Sequence, residues 1–199
     1  MRKQICALMM TLCLLLTSCA GKGNETSSAD ELALNIRTEY LAMTACSTKV
    51  DITADYGQRV YEYTIAVSWQ KGGETVLTIL APESIAGITA RIDNGTGYLE
   101  YDGASVETGA VTTSGLSPVE AIPMIFESIF TGYIASCDFE MSGEDELLWV
   151  CCRDPECSPG SGTEVEIWFE PESRTLARAE ILSDGYTVVQ CNFSEFTKE

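Results

Sequence analysis

Histidine is absent from the 199-residue chain. Its imidazole is the usual general base near neutral pH and the commonest neutral metal ligand. Without it, the Ser-His and Cys-His nucleophile pairs and the histidine-containing zinc sites are excluded. The sequence also contains no nucleophile motif or metal-ligand cluster. We therefore expect a protein that is not an enzyme and that carries no metal or other cofactor.

Basic residues are scarce: the chain has 12 Lys and Arg against 30 Asp and Glu, and its formal net charge is −18. Proteins that bind nucleic acid draw much of their affinity from Lys and Arg on the phosphates, so nucleic acid is excluded as a partner. Anionic lipid head groups are disfavoured for the same reason. The acidity is typical of a well-hydrated surface, and a basic partner protein is the alternative explanation.

Long apolar runs are also missing, apart from one run between Ile5 and Leu16. As a helix this run of about 12 residues would rise about 18 Å, which is too short for a hydrocarbon core of about 30 Å. The basic residues Arg2 and Lys3 precede it, and this order is typical of a secretion signal. The sequence therefore predicts a signal peptide over residues 1–18.

The signal ends in Leu16-Thr17-Ser18-Cys19, which resembles the lipobox of bacterial lipoproteins. The resemblance implies that Cys19 is acylated and that the chain is cut before it. Residues 19–29 then form the lipidated cysteine and a flexible tether rich in small and polar residues. We expect anchorage to the cell membrane on its extracytoplasmic side. The alternative is an ordinary cysteine after a soluble secretion signal.

Six cysteines remain in the chain after the signal peptide and Cys19 are set aside. An even number in an exported protein predicts disulfides, here three. The candidates are Cys46, Cys137, Cys151, Cys152, Cys157 and Cys191.

The order of the predicted strands favours one pairing of these cysteines. Cys137 faces Cys151 or Cys152 across a hairpin, and whichever of the two remains meets Cys157. Cys46 and Cys191, on the first and last strands, form the third bridge. One alternative is a zinc site from Cys151, Cys152 and Cys157, which lacks a fourth ligand. The other is a set of reduced, buried thiols.

Two helices are predicted from spacing and capping residues. The first runs over about 31–44, with Ser28 and Asp30 available as caps. Its apolar residues recur at helical spacing: Leu32, Ile36, Tyr40 and Met43. The second begins with Ser117 as cap and Pro118 in the first turn and reaches about Thr131. Pro123 is expected to bend or restart it.

The rest of the chain alternates apolar and polar residues in short segments divided by turns. The pattern predicts strands at 50–56, 61–69, 74–81, 88–93, 98–101, 135–141, 146–152, 163–170, 175–182 and 186–194, with a further strand and loop before Gly115. These elements predict one α+β domain over residues 30–199. We expect a strongly curved antiparallel sheet of 10–11 strands, an unclosed β-barrel, covered by two helices.

Three stretches in this order resemble the LolA-like superfamily, which includes lipoprotein carriers, RseB-like sensors and germination lipoproteins. The first, Ala81 to Gly87, resembles a proline-to-glycine turn of the family, and the second, Ile92 to Asp102, resembles the hairpin that follows. The third runs from Val165 through Pro171 and Asp184 to Phe196 and resembles the closing strands. The resemblance implies a half-barrel whose concave apolar side binds acyl chains or partner proteins.

The alternating strand faces and the apolar stripe of the second helix predict a concave wall. The candidate ligand-binding residues are Tyr63, Ile65, Val67, Trp69, Leu77, Ile79, Phe126, Phe130, Phe139, Trp149, Val165, Ile167 and Phe169. The alternative is that these side chains simply fill the core. The leading functional hypothesis is a lipid, an acyl chain or another apolar ligand in this wall. The second hypothesis is a scaffold or regulator of an exported partner protein.

Overall fold

The computed structural model describes residues 27–111 and 116–199. The predicted signal peptide, Cys19 and most of the predicted tether lie outside these residues, as do residues 112–115 before the second helix. Within the described part of the chain, no helix is long and apolar enough to cross a membrane.

The described residues form two α-helices and eleven strands. Helix α1 is Ser28–Ala42 and α2 is Pro118–Thr131, and a short 3-10 helix spans Glu83–Ile85. The first six strands are β1 (Ala45–Asp55), β2 (Val60–Gln70), β3 (Thr75–Ala81), β4 (Thr89–Asp93), β5 (Thr96–Tyr101) and β6 (Ala104–Ala110). The other five are β7 (Ile134–Ser142), β8 (Asp145–Arg153), β9 (Thr163–Phe169), β10 (Leu176–Ser183) and β11 (Tyr186–Lys198).

All eleven strands belong to one antiparallel sheet in the order β6-β5-β4-β3-β2-β1-β11-β10-β9-β8-β7. Two meanders therefore meet where the first strand pairs with the last, with Cys46 opposite Lys198 and Ile52 opposite Cys191. Because of this pairing, β1 and β11 are longer than the predicted strands at 50–56 and 186–194. The sheet is curved and unclosed, with β6 and β7 at its edges, and the predicted α+β half-barrel is confirmed.

Helix α1 begins with a capping box. The Ser27 hydroxyl accepts a hydrogen bond from the Asp30 backbone N–H at 3.1 Å, and the Ser27 backbone N–H donates to the Asp30 carboxylate at 3.0 Å. The N-cap is thus Ser27 rather than the predicted Ser28. The helix buries Ala29, Ala33, Ile36 and Tyr40 against the sheet. This face includes two residues of the predicted apolar stripe.

Helix α2 begins as predicted, with Ser117 as N-cap and Pro118 in the first turn. The Ser117 hydroxyl accepts a hydrogen bond from the Glu120 backbone N–H at 3.3 Å. The helix continues through Pro123 and does not restart there. Because proline lacks an N–H, one backbone hydrogen bond is lost, and the packing of the apolar residues on either side of Pro123 offsets that loss.

Arg37 of α1 joins the two helices. Its Nε donates to the Ile129 carbonyl at 2.8 Å, and its Nη2 donates to the Ser128 carbonyl at 3.2 Å. The last turn of α2 contains no basic residue of its own. The Arg37 guanidinium therefore satisfies carbonyls at the C-terminal end of α2 and places a positive charge at the negative end of its dipole.

Candidate functional site

Most of the predicted binding wall is packed core. The side chains are each 1–3% exposed at Ile65, Val67, Leu77, Phe126, Val165, Ile167 and Phe169. Tyr63, Trp69, Phe130 and Phe139 are partly buried and pack against the same cluster. The structure thus brings these residues together on the face that carries the helices. They contact other protein side chains there and leave little surface for a ligand.

Aromatic side chains fill the space between α2 and the sheet. The Trp69 ring lies 5.8 Å from the Phe126 ring and 5.4 Å from the Phe130 ring, measured between centroids. These separations are typical of favourable aromatic pairs.

The space between α1 and the sheet is also nearly filled. The cavity there, lined by Ile36 and Ile167 among others, has a volume of only about 10 Å³. That is about the space of one water molecule.

The prediction placed Trp149 on the wrong face of the sheet. Trp149 lies opposite Asp138 on β7 and Trp168 on β9, whereas Val150 lies opposite Ile167, one of the core residues. Neighbouring residues of a strand point to opposite faces, so Trp149 points away from the helices. The prediction failed because the run from Leu147 to Cys152 is apolar at every position. Such a run carries no alternation from which a face can be read.

The six cysteines of the domain are free thiols in the structure. The predicted bridge between Cys46 and Cys191 is wrong, because Cys191 pairs with Ile52, six residues along β1 from Cys46. At about 3.4 Å per residue this separation far exceeds the reach of a disulfide. Among the described residues, no group of three or more potential ligands could hold a metal ion.

The predicted bridges of the β7–β8 hairpin are also not formed. The Cys137 thiol donates a hydrogen bond to the Asp30 carboxylate at 3.0 Å. The Cys152 thiol lies 3.7 Å from the Ser128 carbonyl. Cys151, as the neighbour of Cys152 in the strand, points to the opposite face of the sheet.

Burial keeps most of these thiols protonated. It raises the pKa of Cys46 to about 12 and that of Cys151 to about 11. Burial and then the neighbouring Asp30 raise the pKa of Cys137 to about 12. The pKa of Cys152 and that of Cys191 are also raised, in each case chiefly by burial. Because the thiolate is the nucleophile, these five cysteines should be poorly reactive near neutral pH.

Alkylation of the folded protein at pH 8 should therefore modify Cys157 first. Cys157 is partly exposed in the loop between β8 and β9. A thiol of pKa 12 is ionised in only about one molecule in ten thousand at pH 8. Peptide mass spectrometry after a short iodoacetamide pulse measures the order of labelling. A guanidinium-unfolded sample, in which all six label, is the control, and three disulfides before reduction would contradict the free-thiol state.

The concave face changes from buried to exposed toward the β6 edge. Leu77, Ala90, Leu99 and Val106 lie opposite one another in succession across β3, β4, β5 and β6. Their exposed fractions are 2%, 6%, 42% and 63%. The same row of apolar side chains thus begins in the core and ends in solvent. The first half of the row belongs to the core cluster that also contains Phe126 of α2, and the second half is open.

We call the uncovered apolar surface the open face, formed by Ile79, Leu99, Tyr101 and Val106. Ile79 belongs to the predicted wall and is partly exposed, and Tyr101 is 59% exposed. Sequence reasoning missed the other three residues. Their alternation with polar neighbours is visible in the sequence, but it resembles that of any half-buried strand. Which strands the helices cover is decided by tertiary packing.

Acidic residues outnumber basic residues in the segment that carries the open face. Residues 75–110 contain five Asp or Glu and one basic residue, Arg91. Arg91 is opposite Tyr98 and therefore points to the convex side, where its guanidinium pairs with Glu74 and Glu100 at 3.2 Å each. Asp102, in the turn beside the open face, is exposed, as is Glu107, which is opposite Tyr98 and points to the convex side of the same edge. The open face is therefore apolar, and the turn and the strand edge beside it are negative.

Comparison with known proteins gives matches in shape alone. No protein-family model and no curated protein matches the sequence. An uncharacterized conserved protein from Thermus thermophilus has a similar structure, with 13% identity and a TM-score of 0.51 over 87% of this chain and 88% of the other. This likeness supports the fold and says nothing of function.

Two further matches have lower TM-scores. One is a LolA superfamily protein from Nitrosomonas europaea, with 10% identity and a TM-score of 0.43 over 87% of this chain and 94% of the other. The other is a chain of the complex between the CwlD amidase and the GerS lipoprotein from Clostridioides difficile, with 11% identity and a TM-score of 0.45 over 88% and 99%. The sheet order and the two helices agree with the half-barrel that the resemblance to the LolA-like superfamily implies.

Proposed function

We propose that this protein is a membrane-tethered, non-enzymatic binding protein that recruits an exported partner protein through the open face. The observation that carries the proposal is the rise in exposure from Leu77 at 2% to Val106 at 63% along one apolar row of the concave sheet. A soluble domain seldom leaves a contiguous apolar surface without a binding role. Single exposed apolar side chains are common, but here they are neighbours on adjacent strands.

The charge around the open face indicates the chemistry of the partner. Asp102 is exposed in the turn beside it, Glu107 is exposed on the convex side of the same edge, and the whole chain carries a formal charge of −18. A partner with apolar side chains between lysines or arginines would bury the open face and neutralise the acidic residues at its edge. Complementary charge of this kind chiefly speeds association and excludes unsuitable partners. Nucleic acid and anionic lipid surfaces are repelled by the same field.

A lipid held between the helices and the sheet is the less favoured function. Trp69, Phe126 and Phe130 already occupy the contact between α2 and β2. An acyl chain could enter there only if α2 moved away from the sheet and broke its packing. Lipid sites in proteins need a preformed concavity of several hundred Å³. The packing of the described residues between α1 and the sheet offers about 10 Å³.

The proposed tether sets the distance between the domain and the membrane. If Cys19 carries the acyl chains, the residues from Ala20 to Ser27 link it to the start of α1. Eight residues span at most about 28 Å when fully extended. The domain would then meet partners close to the membrane surface, whether these are themselves anchored or pass by.

Site-specific photocrosslinking tests the proposed surface. A benzophenone amino acid replaces Tyr101 on the open face or, as control, Tyr186, which is 78% exposed in the last hairpin. In membranes of cells that produce the protein, we expect a protein adduct from position 101 and a much weaker one from position 186. Half-molar salt should reduce the adduct. Equal adducts from both positions, or lipid adducts alone, would refute a partner-protein site.

A pair of matched variants separates the open face from general effects of charge. Leu99 and Leu80 are 42% and 46% exposed, but Leu80 neighbours Ile79 in β3 and points to the convex side. Leu99→Glu should reduce the position-101 adduct at least tenfold, because it places a carboxylate in the apolar centre. Leu80→Glu should leave the adduct unchanged. Equal losses in the two variants would show that the effect is not local to this surface.

A further inference from the structure

Strand β6 is one free edge of the sheet. Its only strand neighbour among the described residues is β5. Six of its seven residues are exposed, and the seventh, Gly109, is partly exposed. An edge strand presents backbone N–H and C=O groups that can pair with another chain.

The β5–β6 turn determines which backbone groups of β6 face the free edge. Asp102 and Gly103, with φ of 49° and 78°, form a two-residue hairpin turn between Tyr101 and Ala104. Such a turn makes Tyr101 and Ala104 a hydrogen-bonded pair, and pairs alternate along an antiparallel ladder. Ala104 and Val106 therefore bond to β5. The N–H and C=O groups of Ser105 and Glu107 point to the free edge.

This edge lacks two of the features that usually prevent strand addition. The segment Ala104–Ala110 contains neither lysine nor proline, the residues that commonly block an edge. A register shift between Gly97 and Tyr98 places the extra residue Thr108 in β6 as a β-bulge, so the part of the edge that can accept another strand ends at Glu107. The other edge strand, β7, contacts α1 through the Cys137–Asp30 hydrogen bond.

The free edge is continuous with the open face. Val106, the last residue of the exposed apolar row, belongs to β6 itself. Every second side chain of a strand added beside β6 would therefore point to the concave side, where Val106 lies. Backbone hydrogen bonds would give affinity, and the apolar row would select the side chains.

Charge decides between a second copy of this chain and a different protein. Two copies paired through β6 would bring Asp102 and Glu107 of both chains close together, and each chain carries a formal charge of −18. Like charges on paired strands are destabilising. A segment with apolar residues at alternate positions and Lys or Arg at its ends is complementary to the same edge.

We propose that β6 receives such a segment of the partner protein as a twelfth strand, paired with Ser105 and Glu107. This inference rests on the proposed function, because it specifies how the partner binds. It differs in what it requires: the open face alone needs side-chain contacts, whereas strand addition also needs the Ser105 backbone N–H.

Ser105→Pro removes that single N–H. Proline is tolerated at an edge position whose N–H points to solvent, so the β5–β6 ladder should remain. Ser105→Ala is the matched control, because it changes the side chain and keeps the N–H. The probe is a labelled peptide, Lys-Val-Thr-Val-Thr-Val-Lys, added to the full-length protein in detergent, with binding followed by fluorescence anisotropy.

We expect the peptide to bind the wild type and Ser105→Ala equally, and Ser105→Pro at least tenfold more weakly, with no loss of melting temperature. A version with glutamate at both ends should also bind at least tenfold more weakly. If Ser105→Pro binds like the wild type while Leu99→Glu does not, strand addition is overturned and the open face stands. If Leu99→Glu also binds normally, both proposals fail. A β6-dependent dimer without peptide binding would overturn the choice of partner.

Discussion

Replacing Tyr40 by alanine is expected to lower the free energy of unfolding by about 3–5 kcal/mol, as for other large aromatic residues truncated in a core. Tyr40 is 0% exposed. Its ring lies 5.6 Å from that of Phe169 and 6.0 Å from that of Phe196. The substitution would leave a cavity where α1 meets β9 and β11. It would also remove the ring over which the Lys198 ammonium lies at 5.4 Å, a favourable cation–π contact.

Urea unfolding followed by tryptophan fluorescence measures this change. Tyr186→Ala is the control, because Tyr186 is 78% exposed. Its removal should change the free energy of unfolding by no more than about 0.5 kcal/mol. A loss below about 1 kcal/mol at Tyr40 would mean that α1 does not pack against the sheet as described. The concave face would then be more accessible than the structure indicates.

The Cys19→Ser variant is expected to lose its acyl chains and to move from the detergent phase to the aqueous phase in a phase-separation assay. Each buried CH₂ contributes about 0.8 kcal/mol to membrane binding, and more than one chain gives durable anchoring. No helix among the described residues could replace the anchor by crossing the bilayer. The wild type should also yield an N-terminal peptide that begins at Cys19 and carries acyl mass.

Cys157→Ser is the matched control for the anchor. It removes a partly exposed cysteine of the folded domain and should leave both the acyl mass and the detergent partition unchanged. If Cys19→Ser stays in the detergent phase after the signal peptide has been removed, the proposed lipid anchor is incorrect. The open face could then still bind a partner, but the partner would not need to be near a membrane.

Local sequence patterns predicted most of the fold. Turns such as Asp93-Asn94-Gly95 and Asp184-Gly185 adopt positive φ at Asn94, Gly95, Asp184 and Gly185, which is the requirement of tight hairpins. Ser117 and Pro118 fixed the start of α2 for similarly local reasons. Properties that depend on a few neighbouring residues can be read from sequence because the backbone allows few alternatives there.

The site was harder to predict because it depends on which strands the helices cover. Leu77 and Leu99 have the same alternating context in sequence, yet one is 2% and the other 42% exposed. Long-range register caused the other errors. Cys46 and Cys191 do lie on neighbouring strands, as the sequence predicts, but their separation along those strands depends on the β1–β11 pairing. No local pattern specifies such a register between the two ends of a chain.

The two halves of the sheet thus have different roles. In the half formed by β7 to β11, α1 lies against the concave face, and Ile36, Tyr40, Ile167 and Phe169 are packed core. In the half that ends at β6, the apolar row extends past the helices. The covered half contains packed core, and the proposed binding surface belongs to the exposed half.

The packed interior can be tested directly by native mass spectrometry of the Cys19→Ser protein after removal of its signal peptide and incubation with palmitate. If ligands bind at the open face and not inside the half-barrel, the measured mass should be that of the chain without a ligand, and fatty-acid uptake should not saturate. A one-to-one complex with palmitate that survives Leu99→Glu but is lost when Trp69 is replaced by alanine would contradict it. That result would place the ligand between α2 and the sheet.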